Sequence, residues 1–278
     1  METDLDLVQR ATAGDAGALE TLLRRHQQWV FNLALYMLQV RADAEDATQE
    51  ILLKLTTALV SFRGTASFRT WAWRIAVNHV LDRRRSRAEC AVHGFDCYAD
   101  YLDRATEVPQ GAAFQPEQQL LVQEARFACS LGMLLCLDRT QRVSFVLGEV
   151  LELEDITASE ILGITRDNFR QRLARARSDL GQFLAGRCGL VDSANPCRCA
   201  RKTQAFIRDG IVDPARLEFT PLHVESARRD AGRGLRQLDV LQQQSAQLAA
   251  SYPRFELPDM AARIRALIAL PPNAEFLQ

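Results

Sequence analysis

The stretch Phe62-Arg-Gly-Thr-Ala-Ser-Phe-Arg-Thr-Trp-Ala-Trp-Arg-Ile-Ala-Val-Asn-His-Val-Leu-Asp-Arg-Arg-Arg-Ser-Arg87 decides the character of this helical chain. It mixes four aromatic residues, Phe62, Phe68, Trp71 and Trp73, with seven arginines and one aspartate, so its net charge is +6. Aromatic rings stack on unpaired bases, and arginines follow a phosphate backbone. The stretch therefore predicts a surface for single-stranded or melted nucleic acid.

This positive charge is local to the stretch, since all 278 residues together carry a net charge of only −1. Nucleic-acid binding must then come from a local patch, because the overall field does not steer it. The composition, 47% hydrophobic and 25% charged, is that of an ordinary globular protein. No apolar run is long enough to cross a bilayer, and the acidic N-terminus lacks a signal pattern. We therefore expect a cytoplasmic protein without membrane insertion.

Hydrophobic spacing outside this stretch predicts an all-α fold of two small helical domains, a linker and a mostly helical C-terminal extension. Up to Arg87, apolar residues recur at three-, four- and seven-residue steps. The residues that follow include glycines and prolines and show no sustained hydrophobic period. Helical spacing resumes at Pro116, and further helices are predicted near 225–250 and 258–269. The predicted segments are 5–87, 88–116 (the linker), 117–184 and 185–278.

Residues 154–177 have the layout of a helix-turn-helix. Gly163 can take the positive-φ turn after a short first helix, and Thr165 is expected to cap the second helix. The apolar face of that second helix consists of Phe169, Leu173, Ala176 and Leu180. Its other faces carry arginines and a glutamine that could enter a major groove. Taken alone, the same pattern also suits a solvated surface helix.

Both elements in this order resemble the extracytoplasmic-function class of sigma-70 family RNA polymerase sigma factors. The matching blocks are Asp43-Ala-Glu-Asp-Ala-Thr-Gln-Glu50, Ser61-Phe-Arg-Gly64, Phe68-Arg-Thr-Trp-Ala-Trp-Arg-Ile-Ala-Val-Asn78 and the helix-turn-helix. The resemblance covers about half of the chain. It implies that 5–87 is sigma region 2 and 117–184 is sigma region 4. The implied function is to bind core RNA polymerase, to recognise the −10 and −35 promoter elements and to melt the DNA.

The resemblance also assigns residues to each partner. The acidic helix face that docks on the β′ clamp of the polymerase is Asp43, Glu45, Asp46, Gln49 and Glu50. Single-stranded −10 DNA is assigned to Phe62, Arg63, Gly64, Phe68, Trp71, Arg74, Asn78, Arg83, Arg84 and Arg85. Duplex −35 DNA is assigned to Arg166, Arg170, Gln171, Arg172 and Arg175. Because Trp71 and Trp73 are two residues apart on a helix, they cannot share a face, and one of them is expected in the core. An anti-sigma factor is a further partner to be expected in this class.

Three positions depart from the usual pattern of the class. The second domain begins Leu137-Asp138 instead of Leu-Pro, its first helix has the small Ala158, and the recognition helix has Asn168-Phe169. These differences leave the promoter sequence open.

The C-terminal extension brings Cys188, Cys197 and Cys199 close together in the sequence. With His223, these thiolates could hold zinc or another soft metal, or they could act as a thiol switch or as structural thiols. Cys129 is expected in the core of an apolar helix. No cofactor is required for the main function, and we expect the extension to fold back on region 4 or the linker and to regulate the protein.

Two other functions explain less of the chain. A helix-turn-helix regulator that acts without polymerase leaves residues 62–87 without a purpose, and a metal-sensing module uses only the cysteines. No catalytic motif is found, so we expect a protein that is not an enzyme.

Overall fold

The computed structural model describes residues 2–105 and 116–217, together with Met260 and Ile264. Within these residues the regular elements are helices, with one isolated β-bridge, so the predicted all-α fold is confirmed. Contacts divide the described chain into two units. The first runs to Arg84 and includes 160–163, Met260 and Ile264, and the second covers Arg85–Ser159 and 164–217. The helix predicted near 225–250, and most of the one near 258–269, lie outside the described residues.

The first unit is built from four helices, and three of them begin with a side-chain cap. They are α1 (Asp4–Thr12), α2 (Ala16–Leu38), α3 (Arg41–Ala58) and α4 (Phe68–Asp82), with a 3₁₀ turn at Leu59–Ser61. Thr3 and Asp6 form a capping box at α1, and Asp15 and Ser67 cap α2 and α4 through their side chains. These oxygens satisfy amides that have no partner inside the helix.

The core of the first unit is aromatic and aliphatic. Phe31, Tyr36, Ile51 and Trp73 are fully buried, and the ring of Trp29 stacks on that of Trp73 with centroids 4.0 Å apart. Burying each such side chain contributes roughly 1.5–3 kcal/mol, so packing rather than helix propensity stabilises the unit.

From Arg85 onward the chain forms seven further helices in its described part. They are α5 (Arg87–Ala91), α6 (Phe95–Arg104), α7 (Pro116–Leu135), α8 (Arg139–Phe145), α9 (Asp155–Leu162), α10 (Arg166–Arg187) and α11 (Cys199–Arg208), with a π-helical turn at Val146–Val150. Helix α7 begins at Pro116, where the sequence predicts it, and α10 continues three residues beyond the predicted end of the second domain.

The segment predicted as a linker contains two short helices, α5 and α6, up to Arg104. In α6, Tyr98, Ala99 and Leu102 are buried, and the hydroxyl of Tyr98 donates to the carbonyl of Cys129 at 3.0 Å. A side chain at Gly132 would lie 2.8 Å from that hydroxyl oxygen, so α6 and α7 pack closely there. Short helices separated by glycine lack the long apolar period that sequence analysis detects.

The start of the extension packs on the second unit. Helix α11 lies against α7, the Phe206 ring stacks on Tyr101, and the buried ammonium of Lys202 donates to the carbonyl of Ala105 at 2.9 Å. The beginning of the extension therefore lies against α6 and α7.

Two later residues of the extension belong to the first unit instead. Met260 and Ile264 are buried, and the backbone amide of Met260 donates to the side-chain oxygen of Gln27 on α2 at 3.1 Å. This contact was not predicted.

Candidate nucleic-acid interface

Helix α4 separates a buried face from a polar one. Ala72, Trp73, Ala76 and Val77 are buried, whereas Arg74 and Asn78 are exposed and Trp71 is half-buried. Residues 71, 74 and 78 follow each other at three- and four-residue steps, so they share one face. The structure therefore selects Trp73 as the core tryptophan and leaves Trp71 beside the predicted DNA contacts.

An aromatic cluster joins α4 to the loop that precedes it. The ring centroid of Phe62 lies 5.7 Å from that of Phe68 and 5.4 Å from that of Trp71. Phe68 is only 3% exposed, because it sits behind the other two rings. Phe68 was predicted among the residues that face the −10 DNA, but its burial gives it a supporting position, and Phe62 and Trp71 present the accessible rings.

A groove of about 390 Å³ opens beside this loop in the first unit. One wall is the segment Leu59–Gly64, where Gly64 takes a left-handed φ of +69° and Arg63 is exposed. The other wall comes from α1 and consists of Leu5, Val8, Gln9 and Thr12. Sequence reasoning did not find this second wall. The structure reveals it through Leu5, an apolar side chain that stays 52% exposed one helical turn before Gln9.

Helix α3 presents the predicted acidic face to the outside. Ala44, Ala47, Thr48 and Ile51 are buried. Between them lie the half-buried Asp43, Glu45 and Gln49 and the exposed Asp46 and Glu50. An acidic helix face of this kind is suited to a basic partner surface.

Two residues predicted for different partners are paired with each other. The Glu50 carboxylate on α3 lies 3.3 Å from the guanidinium of Arg83 and 3.0 Å from Nε2 of His79. The other ring nitrogen of His79 accepts from the Lys54 ammonium at 2.8 Å. Burial, together with the charge of Lys54, lowers the pKa of His79, so the ring is neutral at physiological pH. Arg84 and Arg85 are exposed.

The predicted helix-turn-helix forms as its sequence pattern indicates. Gly163 has φ +64°, and Thr165 caps α10 by accepting from the amide of Asn168 at 3.2 Å. The predicted apolar face of α10 is buried, and a side chain at Gly148 would lie 2.8 Å from Leu173, so α10 packs closely on the π-helical turn. Asp138, at the position where the class usually has proline, caps α8 by accepting from two backbone amides.

The arginines of α10 are not equally available. Asp155 accepts from Arg166 at 2.8 Å and from Arg170 at 2.6 Å, and these interactions lower the pKa of Asp155 to about 2. Arg172 donates to the side chain of Asn168 at 2.9 Å. Gln171 and Arg175 are exposed. Both arginines pair with Asp155 through Nε, so Asp155 orients their guanidinium groups and offsets their charge, while the terminal nitrogens stay available for the two hydrogen bonds with which arginine reads guanine.

The extension cysteines lie between the end of α10 and the first residue of α11. Cys188, Cys197 and Cys199 are half-buried. Across the described ranges, no group of three or more His, Cys, Asp or Glu side chains is placed to hold a metal ion, and His223 lies outside those ranges.

None of the described helices is both long and apolar enough to span a membrane.

Comparison with known proteins defines the class of this chain. The Sigma-70 region 2 family model matches residues 22–89, which contain the acidic face, the aromatic loop and α4. A sequence 31% identical over 183 residues, spanning 66% of this chain and 85% of the relative, is the ECF RNA polymerase sigma factor SigM of Mycobacterium tuberculosis H37Rv. The chain therefore belongs to the extracytoplasmic-function sigma factors of the sigma-70 family. Such proteins direct transcription initiation by RNA polymerase and are not enzymes.

Other relatives match different shares of the chain. The RNA polymerase sigma-H factor of Pseudomonas aeruginosa is 28% identical over 66% of this chain and 94% of its own length. The ECF RNA polymerase sigma-E factor of Escherichia coli K12 is 42% identical over 76 residues, 27% of this chain and 39% of the relative. The solved structure of CnrH in complex with the cytosolic domain of CnrY aligns with a TM-score of 0.47 and 23% identity, over 66% of this chain and 97% of that one.

Proposed function

We propose that this sigma factor reads the −10 element as a single strand through α4 and the groove beside it. The observation that carries the proposal is the shared face of Trp71, Arg74 and Asn78, which continues the accessible ring of Phe62. An aromatic ring, a cation and an amide supply the stacking, the phosphate contact and the base-edge hydrogen bonds that an unpaired base needs.

The test is reconstitution with core RNA polymerase and mapping of transcription starts. We expect one −10 sequence to emerge upstream of the mapped starts, and Asn78→Ala to weaken its selection. Arg24→Ala, an exposed arginine on α2 that pairs with Glu20, is the matched control. If Asn78→Ala leaves the preference unchanged, the assignment of this face is wrong.

A second part of the proposal concerns duplex DNA at −35. Helix α10 offers the exposed Gln171 and Arg175, and it also offers Arg166 and Arg170, whose charge Asp155 partly offsets. Arg175→Ala should weaken binding to a −35 duplex, while Arg201→Ala on α11 should not. If both variants weakened binding equally, the DNA would respond to basic charge anywhere on the protein, and the assignment of α10 to the −35 duplex would be wrong.

For core polymerase, the proposal assigns the outward face of α3 to the β′ clamp. Asp46 is exposed on that face, so Asp46→Lys reverses a charge without disturbing the core. We expect Asp46→Lys to reduce association with core polymerase severalfold, and Glu20→Lys on α2 to be neutral. Retained association of Asp46→Lys would contradict this assignment. Such a protein acts in the cytoplasm, where polymerase and promoter are found, without a cofactor.

The extension is proposed to regulate initiation, in place of or together with an anti-sigma factor. The supporting observation is that its described residues pack on both units, α11 on α7 and Met260 on α2. The double variant Met260→Asp, Ile264→Asp removes the second contact only. We expect promoter-specific transcription to change, and an unchanged output would refute regulation through this contact.

A further inference from the structure

A compact turn at the end of α10 brings two cysteines side by side. Cys188 follows the last residue of α10, and its backbone pairs with that of Cys197 in an isolated parallel β-bridge. The amide of Gly189 donates to the carbonyl of Cys197 at 3.2 Å. A side chain at Gly189 would collide with that carbonyl, so the two chain segments are in close approach.

The turn is held by side chains and not by a cross-link. The Asn195 amide donates to the carbonyl of Ala185 at 2.8 Å and to that of Cys188 at 3.2 Å. The Arg198 guanidinium donates to the carbonyls of Ser193 at 2.6 Å and Cys197 at 3.0 Å. Asn195 and Arg198 therefore hold Cys188 and Cys197 together while both are thiols.

The spacing suits a covalent bond between the two sulfurs. Backbones paired in a β-bridge lie about 4.8 Å apart. A disulfide requires Cα atoms separated by roughly 4.4–6.8 Å. Both cysteines are half-buried, so a small oxidant can reach them.

Two more thiols lie near the pair but are less reactive. Cys129 on α7 and Cys199 at the start of α11 interact electrostatically with Cys188 and Cys197. Burial raises the pKa of Cys199 to about 11 and that of Cys129 further. Since the thiolate is the reactive form, these two thiols stay protonated beside the pair.

We propose that Cys188 and Cys197 form a redox-active dithiol that a hydroperoxide closes to a disulfide. One thiolate attacks the peroxide oxygen, an S–O bond forms, the O–O bond breaks, and the alcohol leaves after taking a proton. The second thiol then attacks the sulfenic sulfur, the S–S bond forms, and the oxygen leaves as water. Two thiols thus lose two electrons and two protons, and one hydroperoxide is reduced to an alcohol and water.

The disulfide would close a short loop between the end of α10 and the beginning of α11. The recognition arginines are on the same α10, and α11 packs on α7, so oxidation ties the extension to the helix proposed to read −35. This regulatory consequence rests on the proposed function, whereas the thiol chemistry does not.

The experiment treats the full chain with hydrogen peroxide, blocks the remaining thiols and maps the linked peptides. We expect two of the seven thiols to be lost and a peptide that links Cys188 to Cys197. Cys188→Ser and Cys197→Ser should each abolish the linkage, while Cys129→Ser and Cys199→Ser should retain it. Asn195→Ala should slow closure without removing either thiol, because it weakens the clamp.

Several results would overturn the proposal: a linkage through Cys129 or Cys199, no loss of thiols, or a stoichiometric metal that is retained by the purified chain and lost in Cys188→Ser. Transcription by oxidised and reduced holoenzyme tests the consequence separately. We expect a change of about fivefold or more that Cys188→Ser abolishes. A linked peptide with unchanged transcription would refute the regulatory coupling and leave the dithiol site standing.

Discussion

The Glu89 carboxylate and the Arg142 guanidinium form an ion pair 2.8 Å apart in the second unit, with each side chain only 3% exposed. Arg139 adds two hydrogen bonds to the same carboxylate at 3.0 and 2.6 Å. Arg142 also donates to the carbonyls of Leu134 and Leu137. This cluster joins α5, in the segment predicted as a linker, to the end of α7 and the start of α8.

Removing the charge of Glu89 should destabilise the second unit strongly. In Glu89→Gln, Arg142 stays buried without its counter-charge, so we expect the free energy of unfolding to fall by about 3–5 kcal/mol. Urea unfolding, followed by circular dichroism, measures the difference. The control is Glu152→Gln, which makes the same change at an exposed glutamate in the turn before α9.

The same pair predicts a pH dependence. Burial alone would raise the pKa of Glu89, but hydrogen bonds from Arg139 and the charge of Arg142 outweigh it, and the pKa falls below its ordinary value of 4.5. The stabilisation is therefore complete above about pH 4.5 and is lost as the pH falls through the lowered pKa. Wild type and Glu89→Gln should converge in stability below this range. A gap that stays constant down to pH 2 would contradict the ionised pair.

The two tryptophans of α4 should behave differently when they are replaced. Trp71→Ala should weaken binding to single-stranded −10 DNA by roughly 1–3 kcal/mol, since it removes a stacking ring, and should leave thermal stability nearly unchanged. Trp73→Ala should lower the free energy of unfolding by about 3–5 kcal/mol, because it leaves a cavity beside Trp29. Binding by holoenzyme and thermal melting of the free sigma factor separate the two effects. If Trp71→Ala instead lowered the free energy of unfolding and Trp73→Ala did not, the assignment of Trp73 to the core would be wrong.

Asp155 should limit the affinity of α10 for DNA. In Asp155→Asn, Arg166 and Arg170 lose their shared counter-charge, so we expect binding to duplex DNA to strengthen by roughly 3- to 10-fold at low salt and to converge with wild type at high salt. Because the pKa of Asp155 is about 2, this difference should not depend on pH between 5 and 8. Asp179→Asn, farther along α10, is the control. Weaker binding by Asp155→Asn would mean that the carboxylate orients the arginines productively.

The α1 wall of the groove should affect base preference at −10. Gln9 is exposed and lines the groove opposite Arg63. Gln9→Ala removes a side-chain amide, and one hydrogen bond from such a group contributes about 0.5–1.5 kcal/mol. Discrimination between bases at one −10 position should therefore fall by roughly 2- to 10-fold. Transcription from templates substituted base by base measures it, with Thr21→Ala on α2 as the control. Unchanged discrimination at every base would remove α1 from the site.

The sequence predicts the helix-turn-helix in detail because its signals are local. Gly163 permits the turn, Thr165 caps the next helix, and the apolar residues from Phe169 to Leu180 recur with the helical period. The linker was predicted less well, because α5 and α6 are short and are held in place by contacts with helices that come much later in the chain. Such contacts join residues 30 to 50 positions apart, as Tyr98 with Cys129 and Glu89 with Arg139 show.

By itself, the sequence determined the all-α class, the sigma family and the two helices that are proposed to face DNA, since periodicity, capping and motif spacing operate within a few residues. Only the tertiary structure decided which tryptophan is buried, that α1 forms a wall of the groove, that Asp155 holds Arg166 and Arg170, and that Cys188 pairs with Cys197. These outcomes depend on which surfaces meet when helices and turns pack. A local sequence pattern does not specify which surfaces pack together, because the packing buries side chains that come from distant parts of the chain.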